Sequence, residues 1–276
     1  MSYQNRLPPE GINVSSKPWA GDLLARLLLV LIFVALAGWL LLQALTYAVR
    51  WIPISYEQRL TGQWWQNTEA SEREVYLQDL TEALARAGGM ATDIKLFVHL
   101  QENDTLNAFA TLGGNIVVFD GLLETLESEQ ALAFVLAHEA AHIALRHPIE
   151  GLTRQVGAQI LLALVFGQSD LATIAGAGGN LALLTYTRDY ERAADVWAYR
   201  ALANHYGHIN GSAALFHTLA DAHPSEIPAW LGTHPDIEER LRLRQQWAEA
   251  ENWPLDGALT PLSRFQKPIQ KADEDS

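Results

Sequence analysis

The longest apolar run lies near the N-terminus. From Leu27 to Val49 the chain reads LLLVLIFVALAGWLLLQALTYAV, with Gln43 and Thr46 as its clearly polar interruptions and no charge. As a helix it would extend about 35 Å at 1.5 Å per residue, enough to cross a hydrocarbon core of ~30 Å. Residues 22–50 are therefore predicted to form one transmembrane helix. Arg26 and Arg50 bracket it, and Trp39, Tyr47 and Trp51 are suited to the lipid interface. The run is too long for a cleaved signal peptide and no small-x-small site follows it, so the anchor is expected to persist. Arg6, Lys17 and Arg26 lie before it and Arg50 and Arg59 after it, which leans towards an inside N-terminus and an outside domain.

Around this helix the pattern changes repeatedly. Residues 1–21, with Pro8, Pro9, Gly11 and Pro18, read as an irregular tail. Residues 51–70 read as a juxtamembrane linker whose Trp64 and Trp65 either rest at the lipid interface or pack on the domain. The domain is expected over 71–250. Its first helix runs from Ser71 to Ala87, with Val75, Leu80, Leu84 and Ala87 at helical spacing and Gly88-Gly89 as the stop. Three strand-like runs follow, at 94–100, 106–111 and 115–120, with Gly113-Gly114 suggesting a hairpin between the last two. From Ser128 the pattern is helical almost to the end, and Pro148 is expected to close the helix that begins there. Two more apolar stretches, 157–166 and 171–186, are too short or too rich in glycine to span a membrane and read as a buried pair or a surface touching lipid. Residues 251–276, ending in KADEDS, form a C-terminal tail. The fold class is α+β, mainly helical, with a small sheet and one transmembrane helix before it.

Composition narrows the chemistry. At 276 residues and 49% hydrophobic, the chain has ample material for a core. Its net charge of −13, without any basic cluster, excludes a broad phosphate-binding surface, so nucleic acid is not an expected partner. With no cysteine there is no disulfide, no thiol nucleophile and no thiolate ligand. Any metal must be held by histidine and carboxylate.

Residues 138–142 read HEAAH. Such a pentapeptide arises by chance in roughly one chain in fifty of this composition, so its surroundings must decide its meaning. On one helix over 128–146, His138 and His142 project from the same face one turn apart and can grip one cation together. Glu139, about 100° around from His138, can hold the attacking water without taking a ligand position. Phe134, Val135, Leu136, Ile143 and Leu145 supply dry surroundings. A hydrolytic zinc site needs three protein ligands. The arrangement H-E-x-x-H-x-x-G-x-x-H is excluded, because Leu145 and Pro148 occupy its glycine and histidine positions. His147 lies roughly 180° around the helix from His138 and is read as structural or capping. A carboxylate from TRDYERAADVWAYRAL is the remaining candidate: Glu191 could bind the metal while Asp195, four residues on, hydrogen-bonds the far nitrogen of a ligating histidine. Alternatively the two acids are an exposed pair helped by Arg188, Arg192 or Arg200.

In order, NAFATLGGNIVVFDGLL, HEAAHIALRH, ERAAD and THPDIEER resemble the membrane-associated gluzincin peptidases that include HtpX-type and CAAX prenyl proteases, over roughly half the chain, from Asn107 to Arg240. The resemblance implies a zincin-like metallopeptidase domain with one Zn2+ held by His138, His142 and Glu191, with Glu139 as general base and Asp195 supporting a ligand. It implies that Asn107, Ala108 and Phe109 belong to an edge strand to which a substrate chain adds by main-chain hydrogen bonds; Asn107 also reads as a turn residue. By the same analogy His234 approaches the metal, stabilising the oxyanion or latching the water position, although THPDIEER also reads simply as a helix start. The expected partners are lipid and unfolded or damaged polypeptides, and the expected location is a bacterial inner membrane, single-pass, with the domain on the extracytoplasmic side. A single anchor argues against prenylated substrates. A latent or chaperone-like binding module on the same fold is the rival reading.

Overall fold

The computed structural model describes residues 19–62, 65, 70–166, 186–221, 229–234 and 237–262. The tail 1–18, the apolar stretch 171–185 and residues 263–276 lie outside them. The chain divides into two compact units between Ala44 and Leu45. The first is the greater part of α1, Trp19–Ala48, a helix long and apolar enough to cross a membrane and the one such helix among the described residues. Leu24, Leu29, Phe33 and Leu41 are all largely exposed, and no residue of it from Gly21 to Leu45 is buried. A helix apolar all round needs an apolar medium to cover it, which makes α1 a candidate transmembrane span.

The second unit begins at Leu45 and takes in part of the segment expected to be a linker. A short 3-10 turn at Val49–Trp51 leads to α2, Ile54–Thr61, which buries Ile54, Glu57 and Thr61 on one side. The Gly113 amide donates to Glu57 Oε2 at 3.0 Å and Arg146 pairs with Glu57 Oε1, so this carboxylate ties α2 to the rest of the domain. The next helix, α3, Glu72–Gly88, starts on a reciprocal capping box between Ser71 and Glu74 and stops at Gly89, whose φ of 82° needs no side chain.

Three strands follow: β1, Phe97–Gln101; β2, Ala108–Ala110; and β3, Asn115–Phe119. Their order is β1-β3-β2, with β1 parallel and β2 antiparallel to β3. The expected hairpin turns through Leu112–Gly114, where Gly113 and Gly114 have φ of 75° and 84°. A Cβ on Gly114 would meet the Lys95 carbonyl oxygen at 2.1 Å, so glycine is required there. The outer edge of β1 is closed by α3: Val98 and Leu100 amides donate to Gln78 and Glu74, and Gln78 donates to the Leu96 carbonyl. β2 forms the other edge.

After α4, Asp120–Thr125, comes α5, Glu129–Ala144, capped by Ser128 and buried continuously from Gln130 to Ile143. Its apolar residues occupy every face, and α3, the sheet and two later helices surround it. Pro148 does not close this helix. The break falls at Leu145 and Arg146, the latter with φ of 66°, and Pro148 sits in the first turn of α6, His147–Phe166, where its missing N–H costs nothing. The stretch 157–166 is thus the second half of a longer helix. Beyond residue 185 the chain forms α7, Arg188–Tyr206; α8, Asn210–Asp221; α9, Ala229–Thr233; and α10, Ile237–Glu251.

Candidate metal centre

α5 presents His138 and His142 one turn apart, α7 brings Glu191 from its first turns, and His234 follows α9 directly. All four are buried, and one ligand atom from each lies within 4.8 Å of the others. His138 Nε2 is 3.0 Å from His142 Nε2 and 3.4 Å from Glu191 Oε2, and His142 Nε2 is 3.5 Å from Glu191 Oε1. A tetrahedral ion with bonds of ~2.0–2.1 Å holds its ligands about 3.3 Å apart, so the two imidazole nitrogens and the Glu191 carboxylate have the spacing of three ligands around one ion. His234 Nδ1 lies 3.2 Å from His138 Nε2 and 2.9 Å from Glu191 Oε2, which is the place of a fourth.

Behind the donors stands a second set of contacts. Asp195 Oδ1 is 3.0 Å from His138 Nδ1, an arrangement that leaves Nε2 to the metal. Arg240 grips the same carboxylate with Nε at 2.8 Å and Nη2 at 2.6 Å, and its guanidinium lies over the Phe216 and Trp230 rings. His142 Nδ1 is 2.8 Å from His147 Nδ1, and its ring stacks on Tyr186 at 4.0 Å.

Glu139 is fully buried between the donors and β2. Its Oε2 accepts the Ala110 amide at 2.8 Å, its Oε1 accepts Trp230 Nε1 at 3.4 Å, and the same Oε1 is 3.5 Å from His234 Nε2. Along β2, Asn107 accepts from Phe119 and Thr111 donates to Asn115, so 107, 109 and 111 turn their main chains towards β3. Ala108 and Ala110 therefore turn theirs to the outer edge. Of the expected edge residues, Ala108 has its main chain directed outward; Phe109 packs edge-on against Phe119, and the buried Asn107 side chain has an Oδ1 without a partner. This edge is covered: Ala108 and Ala110 are buried, and the Trp230 amide of α9 donates to the Leu106 carbonyl.

A model of peptidase family M48 matches residues 71–248, more than half of the chain. The chain belongs to peptidase family M48. Among its relatives are the mitochondrial metalloendopeptidase OMA1 of Schizosaccharomyces pombe, 29% identical over 183 residues, which are 63% of this chain and 52% of that protein. Two others are the beta-barrel assembly-enhancing proteases of Escherichia coli K12, 31% identical over 172 residues (57% and 35%), and of Yersinia pestis, 30% over 181 residues (60% and 37%). The chain thus spans about half or less of the relatives it matches. The expected kinship with membrane-associated metallopeptidases holds at the level of the family. M48 peptidases depend on a metal, and the four buried donors fit one.

The electrostatics of the M48 site prepare it for a cation. Burial disfavours a charge on His138, yet hydrogen bonds to Asp195 and Glu191 outweigh it and carry its pKa up to about 9. His142 moves the other way, far below the usual histidine value, through burial and the neighbouring His138 charge. Burial alone would raise Glu191, but His234 and His138 hold it well below the carboxylate range. Burial likewise opposes the Asp195 charge, and Arg240 reverses the balance. Below pH 9 the metal-free site therefore carries a proton on His138 that an entering ion must displace. Uptake near pH 7.5 is expected to release about one proton per ion, and affinity to rise about tenfold per pH unit until pH 9. Titration calorimetry in buffers of different ionisation enthalpy measures this; uptake with no proton released would contradict the His138–Asp195 pairing.

Sequence reasoning brought together His138, Glu139, His142, Glu191 and Asp195, and left His234 open. It missed Arg240, Trp230 and Tyr186, and it placed His147 away from the metal face. Arg240 had a signal, since an arginine six residues after His234 in THPDIEER could reach the acid behind a ligand. Trp230 had none.

Proposed function

We propose that this M48 peptidase is a membrane-anchored zinc endopeptidase that hydrolyses peptide bonds in extended, unfolded or damaged polypeptides. One observation carries the reading: the buried carboxylate of Glu139 lies between a cluster of metal donors and the outward main chain of an edge strand. The relatives named metalloendopeptidase and protease support it. Two imidazoles and a carboxylate, with no cysteine in the chain, suit zinc. Bound there, the ion supplies a Lewis acid that polarises the scissile carbonyl and acidifies water.

The chain's own residues do the rest. His138, His142 and Glu191 hold the ion, and Asp195 with Arg240 fixes the His138 ring. Ala108 offers its main chain to an extended substrate, which selects for extension rather than side-chain identity. Glu139 takes a proton from the attacking water and delivers it to the leaving amine. His234 and α9 hold this site shut, because His234 Nδ1 sits at a fourth ligand's distance and Trp230 hangs over both Glu139 and the β2 edge.

A zinc-loaded full chain is expected to cleave an unfolded polypeptide and spare a compact one, and His234→Ala to cleave the unfolded chain faster at equal zinc content. If neither protein cuts while carrying one zinc each, the peptidase reading falls. A slower His234→Ala at full zinc occupancy would instead give His234 the oxyanion role.

A further inference from the structure

The far side of His142 is as fully built as that of His138, and from different material. His147 opens α6 after the break at Leu145 and Arg146, which folds its ring back to 2.8 Å from His142, Nδ1 to Nδ1. His142 Nε2 belongs to the donor cluster. For that nitrogen to be a free lone pair, Nδ1 must carry the ring hydrogen, and His147 Nδ1 is then its acceptor. His147 is held flat against the Tyr190 ring, 4.0 Å away and 1° from parallel. The Tyr190 hydroxyl donates to Glu150, a carboxylate with no solvent exposure. Arg50 Nη2 donates to Glu150 at 2.9 Å and its Nε makes a second contact, while Arg154 approaches both the hydroxyl and the carboxylate. Arg50 lies two residues beyond the end of α1.

The line of contact therefore runs from Arg50 through Glu150, Tyr190 and His147 to His142. Arg154 Nη2 stands farther off, 3.9 Å from the carboxylate, so losing Arg50 would remove the nearer of Glu150's two cations, weaken the hold on this buried acid and loosen the hydroxyl that aligns the stack. We propose that His147 is the positioning residue for His142 and that the Arg50–Glu150 pair keeps it in place, so that the first residues beyond the apolar helix help to set the affinity for the metal. The proposal rests on the metal-site reading above. It differs from a purely structural role for the ion pair, which would support the fold without distinguishing the side chain at position 147.

The test uses the full chain in detergent, with Zn2+ affinity measured by competition against a chromophoric chelator and the unfolding midpoint of the chelated protein measured alongside. His147→Ala is expected to weaken zinc binding about 10- to 100-fold, and His147→Gln, which keeps an acceptor, to recover most of that loss. The half-exposed Arg50 gives a milder probe: Arg50→Gln should cost about 3- to 10-fold and Arg50→Lys less. Should His147→Ala not fold, the Arg50 pair and His147→Gln decide. Wild-type affinity in both His147→Ala and Arg50→Gln would overturn the proposal while leaving the metal site intact. Equal affinities for the Ala and Gln variants, with lowered midpoints, would reduce the chain of contacts to fold support. A wild-type chain that takes up no zinc would overturn both readings.

Discussion

Glu139→Gln is expected to keep its metal and lose roughly 10²–10⁴-fold in turnover. The amide is nearly the shape of the carboxylate and can still accept the Ala110 amide and the Trp230 indole through its oxygen, so the pocket stays assembled. It cannot take a proton. The variant therefore separates binding from chemistry, because Glu139 lies beside the donors without being one of them. Metal content by elemental analysis and peptide release from an unfolded chain give the two readouts. Turnover within a few-fold of wild type at full occupancy would remove Glu139 from the role of base, and loss of the metal would make it a ligand.

The largest expected effect on stability comes from a residue that touches neither metal nor substrate. Arg240 is buried, doubly hydrogen-bonded to Asp195 and set over the Phe216 and Trp230 rings. Arg240→Met keeps much of the volume but strips Asp195 of its guanidinium and two hydrogen bonds, leaving the His138 ring as its remaining partner. The expected cost is about 3–5 kcal/mol, read from urea unfolding of the metal-free chain. Adding Asp195→Asn should return part of it, since the buried charge goes with the partner, so the double variant should fall short of the sum. A loss under about 1 kcal/mol for Arg240→Met would mean that the guanidinium does not hold the acid in solution.

How much of this was legible depended on distance along the chain. The three strands and their glycine turn lie within two or three residues of the runs that predicted them, because alternation, β-branched residues and a Gly-Gly pair are local signals. α5 and its two histidines were equally plain, since one helical turn fixes their relation. α2 was hidden because its buried Glu57 makes sense only when the Gly113 amide and Arg146 arrive from far away. Pro148 misled for a simpler reason: proline stops one helix and starts another equally well, and only the left-handed Arg146 reveals which. Arg240 sits among the charges of a strongly polar helix, where an arginine ordinarily faces water.

One five-residue helix, α9, brings Trp230 to the β2 edge and to Glu139, with His234 just beyond it among the donors. If substrate adds to that edge as proposed, admission of a guest strand and exposure of the chemistry would be a single event, for which the guest must supply the free energy. A tripeptide offers too few main-chain bonds to displace such a cover, whereas a long slack chain can add them one after another. On the endopeptidase reading proposed above, length itself would become a criterion of selection, and folded proteins would be spared because they have no loose strand to offer.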